Sequence, residues 1–440
     1  MMISRIIIIL AFNVILFART LKYSYTSDDL PTWRTPPKFK NKWHKWLLWI
    51  IAGYKTGKTK YEHLATLIIH ALAGVFIYTA FGASNVSFFA ALLFSVNPAN
   101  NQGSIWISGR GYVLPPLMLL ISLSMPFLAP ICLWAMGYFN LGFVSPLGLV
   151  GSNKAYLLAL MPFIWLFWLK KFKKDVKEKL DFEQVVEDRK FHFGKIILAI
   201  KTIGFYFALG LIPFRITFYH SFLQSCAGNE IMKKRAYTMK DKFFWIGLGA
   251  IGLFIYLVLR KWTLTTYGLW WFFIMIAPFC NIKRLQQEIA ERYLYSPLIG
   301  LMLALSSLII NYPIVIAVFL TIYITKFNTI MRMYTDDYWL LETAVIEDHQ
   351  AWFAWHMRGR KRWDVQSYKE ALIMWVMAKL ISPKEFKVLF NIAVVLRLLK
   401  KDQEAEAYIQ LAEANVIKGQ EEQMKVIIDN FRKGKMGLLV

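Results

Sequence analysis

Between Met1 and Phe327 the chain runs again and again through apolar stretches long enough to cross a bilayer core, which takes roughly 20 helical residues. Hydropathy places such segments near 3–20, 63–82, 84–97, 113–130, 131–148, 154–169, 195–219, 243–260, 265–281, 297–311 and 313–327. Eleven spans of this kind define an all-α polytopic membrane bundle. A composition of 57% hydrophobic and 16% aromatic residues is too apolar for a soluble chain of this length. Two stretches can be read another way. Residues 113–148 can be divided differently around Pro126 and Pro130, and 297–327 can form one long tilted helix instead of a hairpin turning at Asn311-Tyr312-Pro313. The first segment follows Arg5 like a signal peptide, but Leu16-Phe17-Ala18-Arg19-Thr20 offers no small-x-small cleavage site. An uncleaved helix is expected.

The net charge of +24 is unevenly spread. From Phe327 onward 17 basic residues face 15 acidic ones, so the first 326 residues carry 35 and 13, a surplus of 22. In a membrane protein such a surplus serves anionic lipid or a phosphate-bearing substrate, not nucleic acid. The loop from Lys170 to Lys195 holds nine Lys or Arg and six acids, and the positive-inside rule puts it in the cytoplasm. The first loop, 22–62, then lies outside with nine Lys or Arg of its own, against that rule. A lipid-phosphate substrate gives those charges another purpose. Within it, Lys42–Tyr54 spaces Trp43, Trp46, Leu47, Ile50 and Ile51 as an amphipathic helix lying in the interface. Cys132, Cys226 and Cys280 have no C-x-x-C spacing, so neither a zinc site nor a disulfide framework is expected.

Beyond Phe327 the pattern becomes that of soluble helices, dividing the chain into a membrane domain, 1–327, and a helical domain, 328–440. "KEALIMWVMAKLISP" and "QEAEAYIQLAEANVI" align at an offset of 34 residues, pairing Glu370 with Glu404, Ala371 with Ala405 and Ala378 with Ala412. That period, with small residues at helix contacts, is tetratricopeptide-like. Two such units are few for independent stability, so the domain is expected to lean on the membrane part or on a partner.

Three outward loops carry the unusual polar residues. They are Asp28-Asp29, "NPANNQGSIWISGRG" (Asn97–Gly111) and "NIKRLQQEIAERYLYSP" (Asn281–Pro297). A carboxylate beside an acceptor hydroxyl can take its proton as the oxygen attacks. The planar fork of arginine suits the oxygens of a phosphate leaving group. An acid on one side and arginine on the other is what sugar transfer from a lipid phosphate requires.

These loops resemble those of the transmembrane and tetratricopeptide-repeat protein O-mannosyltransferases, a branch of the GT-C glycosyltransferase superfamily. The second loop is similar to that family's H-P-x-x-T-E-x-x-x-W-I-x-G-R, and "ERYLYSPLIG" (Glu291–Gly300) to its E-R-Y-L-Y-x-P-x-x-G. "YTSDDLP" stands where the family has its acidic pair, and "RMYTDDYWLLE" (Arg332–Glu342) is similar to the segment leading into its repeats. The resemblance implies a GT-C fold and an inverting transferase. It would use a polyprenyl-phosphate sugar donor and an acceptor hydroxyl on protein or glycan. Asp28, with Asp29 next, would be the acid-base residue, Arg110 and Arg292 the ligands of the donor phosphate, and Glu291 would position Arg292. Asn97, Gln102 and Tyr293 would support the site. No metal or other cofactor is expected, and the site and repeats would face the non-cytoplasmic side. The chain departs from the family at Asn97 for His, Gln102 for Glu and Tyr112 for the Asp that often follows G-R. The other reading is a non-catalytic scaffold that keeps the membrane part for lipid and uses its repeats to recruit partners.

Overall fold

A computed structural model describes residues 1–27, 58–136, 149, 150, 152, 193–223, 228, 229, 231, 235–282, 285, 289–416, 421–434 and 438. Among them the secondary structure is entirely helical. The membrane part comprises α1 (Met2–Phe17), α2 (Thr59–Ala80), α3 (Asn85–Val96), α4 (Arg110–Ser124), α5 (Ala129–Met136), α6 (Phe193–Leu211), α7 (Lys242–Arg260), α8 (Leu264–Ile276), α9 (Tyr295–Ile309) and α10 (Pro313–Ile330). Local chemistry fixes several starts. Ser84 caps α3 by accepting the Ser87 N–H, Asp241 caps α7 through Phe243 N–H, and Thr263 caps α8 through Thr266 N–H.

Seven helical stretches of the described residues are long and apolar enough to cross a membrane: Met2–Lys22, Thr59–Ala80, Ile107–Ser124, Phe193–Leu211, Lys242–Arg260, Glu291–Ile309 and Pro313–Tyr334. The chain therefore reads as membrane-spanning, with seven such helices where the sequence led us to expect eleven. Two of the shortfall are short elements. Asn85–Val96 has 12 residues, which at 1.5 Å each is about 18 Å, well under a hydrocarbon core. Leu264–Phe279 is likewise too short by this measure. The expected spans 131–148 and 154–169 fall largely or wholly outside the described residues, as do the amphipathic segment Lys42–Tyr54 and nearly all of the loop from Lys170 to Lys195.

Burial follows the polar residues. On α1 the seam Ile9, Asn13, Phe17, spaced every fourth position, is buried, while Ile3, Ile7, Val14 and Ile15 are exposed on the side left for lipid. Asn13 donates to Ser95 Oγ of α3 at 3.0 Å, and His70 Nε2 of α2 donates to the Ser95 carbonyl at 3.2 Å. His70 Nδ1 then accepts from Tyr295 OH of α9 at 2.8 Å. Four helices are thus joined by side chains that could not face lipid. Helix α9 is buried on nearly every side. It meets α8 at Gly268 and Gly300, where a Cβ on either residue would overlap the other's carbonyl oxygen.

Helices α9 and α10 form a hairpin. Gly210 packs against Leu298 of α9, and its carbonyl accepts from Tyr323 OH of α10 at 3.1 Å. Leu298 and Tyr323 sit on either side of the break at Tyr312, each more than three turns from it. Only two helices running back along each other can bring both to one residue.

After α10 come three helix pairs: α11 (Asp337–Glu347) with α12 (Trp352–Asp364), α13 (Tyr368–Ile381) with α14 (Phe386–Leu398), and α15 (Asp402–Glu413) with α16 (Glu421–Arg432). Ala371, Ala378, Ala405 and Ala412 are all fully buried, and so is Ala344, another 34 residues upstream of Ala378. The 34-residue period therefore extends one pair further back than the sequence alone revealed. That first pair contributes Leu340, Leu341, Ala344, Ala351 and Ala354 to the core of the membrane part, while the later pairs enclose a core of their own around Trp375 and Phe390.

Candidate functional site

The loop 97–111 is shaped by its amides. Asn97 caps a 3₁₀ turn by accepting from Ala99 N–H at 3.0 Å and donates to the Gly210 carbonyl at 2.8 Å. A short helical turn, Asn101–Ser104, follows. The chain then doubles back so tightly at Gly109 that a Cβ there would overlap the Gln102 carbonyl. That close approach is what the glycine before Arg110 provides. The third loop enters as a 3₁₀ turn, Glu291–Leu294, leading into α9.

The two loops meet side by side. Gln102 Oε1 accepts from both the main-chain N–H of Arg292 (3.3 Å) and its Nη1 (3.1 Å). The Arg292 guanidinium carbon lies 5.5 Å from the ring centre of Trp106, 5.6 Å from Tyr112 and 5.1 Å from Tyr293, so aromatic faces frame it. Tyr293 stacks on Phe279 at 4.3 Å. Arg292 is nine-tenths buried. Two donors in this niche, Gln102 Nε2 and Trp106 Nε1, are buried without an acceptor.

Arg110 has a different setting. It is completely buried, with Nε donating to Thr66 Oγ1 at 2.8 Å, Nη1 to Glu62 Oε2 at 3.0 Å and Nη2 to the Glu62 carbonyl. Its fork is committed to the first two turns of α2, including a buried carboxylate.

Glu291, expected to position Arg292, makes its side-chain hydrogen bonds elsewhere, so it acts on Arg292 only through the main chain that joins them. Its carboxylate accepts from Thr217 N–H (2.7 Å), His220 Nε2 (3.1 Å) and Asn101 Nδ2. Asn101 in turn accepts from Tyr334 OH, which belongs to the segment leading into the helix pairs. The carboxylate is shared among these donors, and the direct contacts of the guanidinium next door are with Gln102 and the rings.

Asp28 and Asp29 lie outside the described residues. The chain that leads to them is described as far as Ser27. Ser24 N–H donates to the Thr335 carbonyl at 3.1 Å and Ser27 N–H to Asp337 Oδ1 at 2.6 Å. Burial pushes the Tyr23 hydroxyl up, with Arg19 opposing. The structure thus joins the second loop, the third loop and the 332–342 segment, and brings the first loop up to that segment. Glu62, Thr66, Thr217, His220 and Tyr334 were not anticipated. Glu62 is a lone acid in the first turn of an apolar helix, which was a readable signal; Thr217 and His220 sit in a loop with no motif. Among the described residues no three His, Cys, Asp or Glu side chains gather as a metal site would.

The chain matches no protein-family model, and no curated protein or solved structure is found to match it.

Proposed function

We propose that the chain is an integral-membrane glycosyltransferase of GT-C type that moves a sugar from a polyprenyl-phosphate donor to an acceptor hydroxyl, on protein or glycan. The observation that carries the reading is the Arg292 niche. A buried guanidinium beside two buried N–H groups without acceptors, Gln102 Nε2 and Trp106 Nε1, is a site rich in donors. Donors left unpaired in a dry site are costly. An anion bearing several acceptor oxygens, such as a phosphodiester, would accept from both of these N–H groups and balance the charge of the guanidinium beside them.

In this reaction the acceptor oxygen attacks the anomeric carbon from the face opposite the phosphate. The new C–O bond forms as the bond to the phosphate oxygen breaks, so the anomeric centre inverts. The leaving phosphate keeps the electron pair, and Arg292 offsets its charge. The acceptor's proton goes to a carboxylate, Asp28 or Asp29. Arg110, tied to Glu62 and Thr66, is given a positioning role and not that of a phosphate ligand. The helix pairs, tetratricopeptide-like in period, would present the acceptor or a partner.

The test measures binding of a polyprenyl monophosphate to the detergent-purified protein, together with sugar transfer. Arg292→Gln should lose binding. Asp28→Asn should bind normally and lose turnover by about 10² to 10⁴, the range of general base catalysis. Unchanged binding in Arg292→Gln would remove the reading. A chain that binds the lipid but transfers nothing would instead be the scaffold, which the amides at Asn97 and Gln102, both engaged in hydrogen bonds within the protein, also suit.

A further inference from the structure

Five consecutive residues, Thr217 to Ser221, touch the Arg292 niche with one side and the first helix pair with the other. On the niche side, Thr217 N–H and His220 Nε2 both bond Glu291 Oε1, at 2.7 and 3.1 Å. The Phe218 ring meets the Trp106 ring edge-on at 5.2 Å, and Trp106 is one of the faces framing Arg292. On the other side, the Tyr219 ring meets Phe353 of α12 at 5.2 Å. Ser221 donates its N–H (2.7 Å) and its hydroxyl (2.7 and 2.8 Å to the two oxygens) to Asp348, in the turn between α11 and α12. Asp348 also lies 3.7 Å from Arg215 Nη1 and accepts from Gln350 N–H at 3.3 Å. The segment bends at Phe218 and Tyr219, whose rings meet at 4.9 Å, so one short stretch of chain is held from both sides.

We propose that residues 217–221 form a strap that positions Arg292, with His220 and Thr217 as positioning residues and Asp348 as the strap's anchor on the helix pair. The proposal rests on the reading of Arg292 as the phosphate ligand. Glu291 immediately precedes Arg292, so fixing its carboxylate fixes the turn from which the guanidinium projects. A carboxylate only accepts, so His220 Nε2 carries the proton in that bond. Its Nδ1 is buried without a partner, so this bond is the ring's one polar engagement. Glu291 and His220 are both fully enclosed, which leaves water no access to replace a lost donor. Through Asp348 the same strap ties the niche to the helix pairs, so the domain proposed to present an acceptor also holds the donor-site arginine in place.

The experiment uses the full chain in detergent, polyprenyl monophosphate as the probe, and hydrogen exchange of residues 289–294 as a readout that needs no ligand. His220→Phe keeps a ring and removes the donor, whereas His220→Gln keeps an N–H at similar reach. Asp348→Asn loosens the strap from the helix-pair side without touching the niche. His220→Phe and Asp348→Asn should each weaken binding about tenfold or more, as loss of a hydrogen bond to a charged group would. His220→Gln should recover most of it, and the double variant should be no weaker than the weaker single. Exchange at 289–294 should rise in both single variants. Wild-type binding in both single variants, additive losses in the double, or unchanged exchange at 289–294 would overturn the strap. If His220→Phe fails to fold, Asp348→Asn carries the test. If Arg292→Gln itself binds normally, the phosphate reading has failed and the exchange measurement alone decides the strap.

Discussion

Two arginines of the site illustrate how much the neighbours decide. Arg110 and Arg292 carry the same charge, yet one is neutralised by a buried carboxylate and the other is framed by rings and an amide. Removing Arg110 would strand Glu62 in the bundle, and breaking a buried pair in this way costs about 3–5 kcal/mol. Arg110→Ala should therefore lower thermal stability in detergent sharply, whereas Arg292→Gln should fold and fail only in binding. Equal stability losses in the two variants would contradict the assignment of roles. Both arginines were legible in the sequence because each closes a dense polar motif. What separates them was not, because the partner of Arg110 lies 48 residues upstream in an apolar helix. A second residue-scale expectation concerns His356, buried between Trp352, Phe353 and Trp375 with neither ring nitrogen bonded. Burial, with Lys387 and Arg360 adding to it, lowers its pKa from 6.5 to about 4. The folded chain keeps this ring neutral while the unfolded chain protonates it. Stability is then fully present above about pH 6.5 and declines as pH falls toward 4, by a total of about 3 kcal/mol. Unfolding of the helix pairs followed across that range, in the wild type and in His356→Leu, should show the slope only in the wild type.

At the scale of elements, the helix pairs were readable from the alanines at a 34-residue spacing, since only small residues let neighbouring helices approach so closely. Ala405, fully buried like Ala371, Ala378 and Ala412, is a stringent place to test that contact. Ala405→Trp should overpack it and cost about 1–3 kcal/mol. Unfolding of the helix pairs should shift accordingly, with lipid binding by the membrane part kept. A wild-type unfolding profile would mean that Ala405 is not at a close contact. The first pair escaped the sequence reading for a physical reason. Its core residues pack into the membrane part, and its second helix carries Arg358, Arg360, Lys361 and Arg362, paired with Glu342, Asp364, Asp337 and Glu370. Hydropathy alone also could not separate the short elements α3 and α8 from full spans. Both are mostly apolar, and only the caps at Ser84 and Thr263 mark where they begin.

For the whole molecule, the consequence that matters is which parts share a membrane face. Tyr334 reaches Asn101, and Asn101 reaches Glu291, so the start of α9 and the end of α10 lie together at the site. The turn between them, at Tyr312, must then lie at the far end of both helices. The stretch Pro313–Tyr334 has 22 residues, about 33 Å at 1.5 Å each, which is one hydrocarbon core. Tyr312 and Tyr338 are both well exposed, so a cysteine at either is reachable by a membrane-impermeant maleimide. In a chain whose own cysteines are replaced, Tyr312→Cys and Tyr338→Cys should label from opposite sides of sealed vesicles. Labelling from the same side would mean that α10 does not cross. The segment from Arg332 to Asp337, which holds Ser24 and Ser27 and so leads the chain toward Asp28, would then be carried to a different face from the one on which the Arg292 niche opens. On the proposed transferase reading, the side that labels Tyr338→Cys is also the side on which the acidic pair would meet an acceptor. A glycosylation reporter fused after Ser27 should therefore report the same compartment as Tyr338→Cys, and disagreement between the two would separate the carboxylates from Arg292 and end the transferase reading.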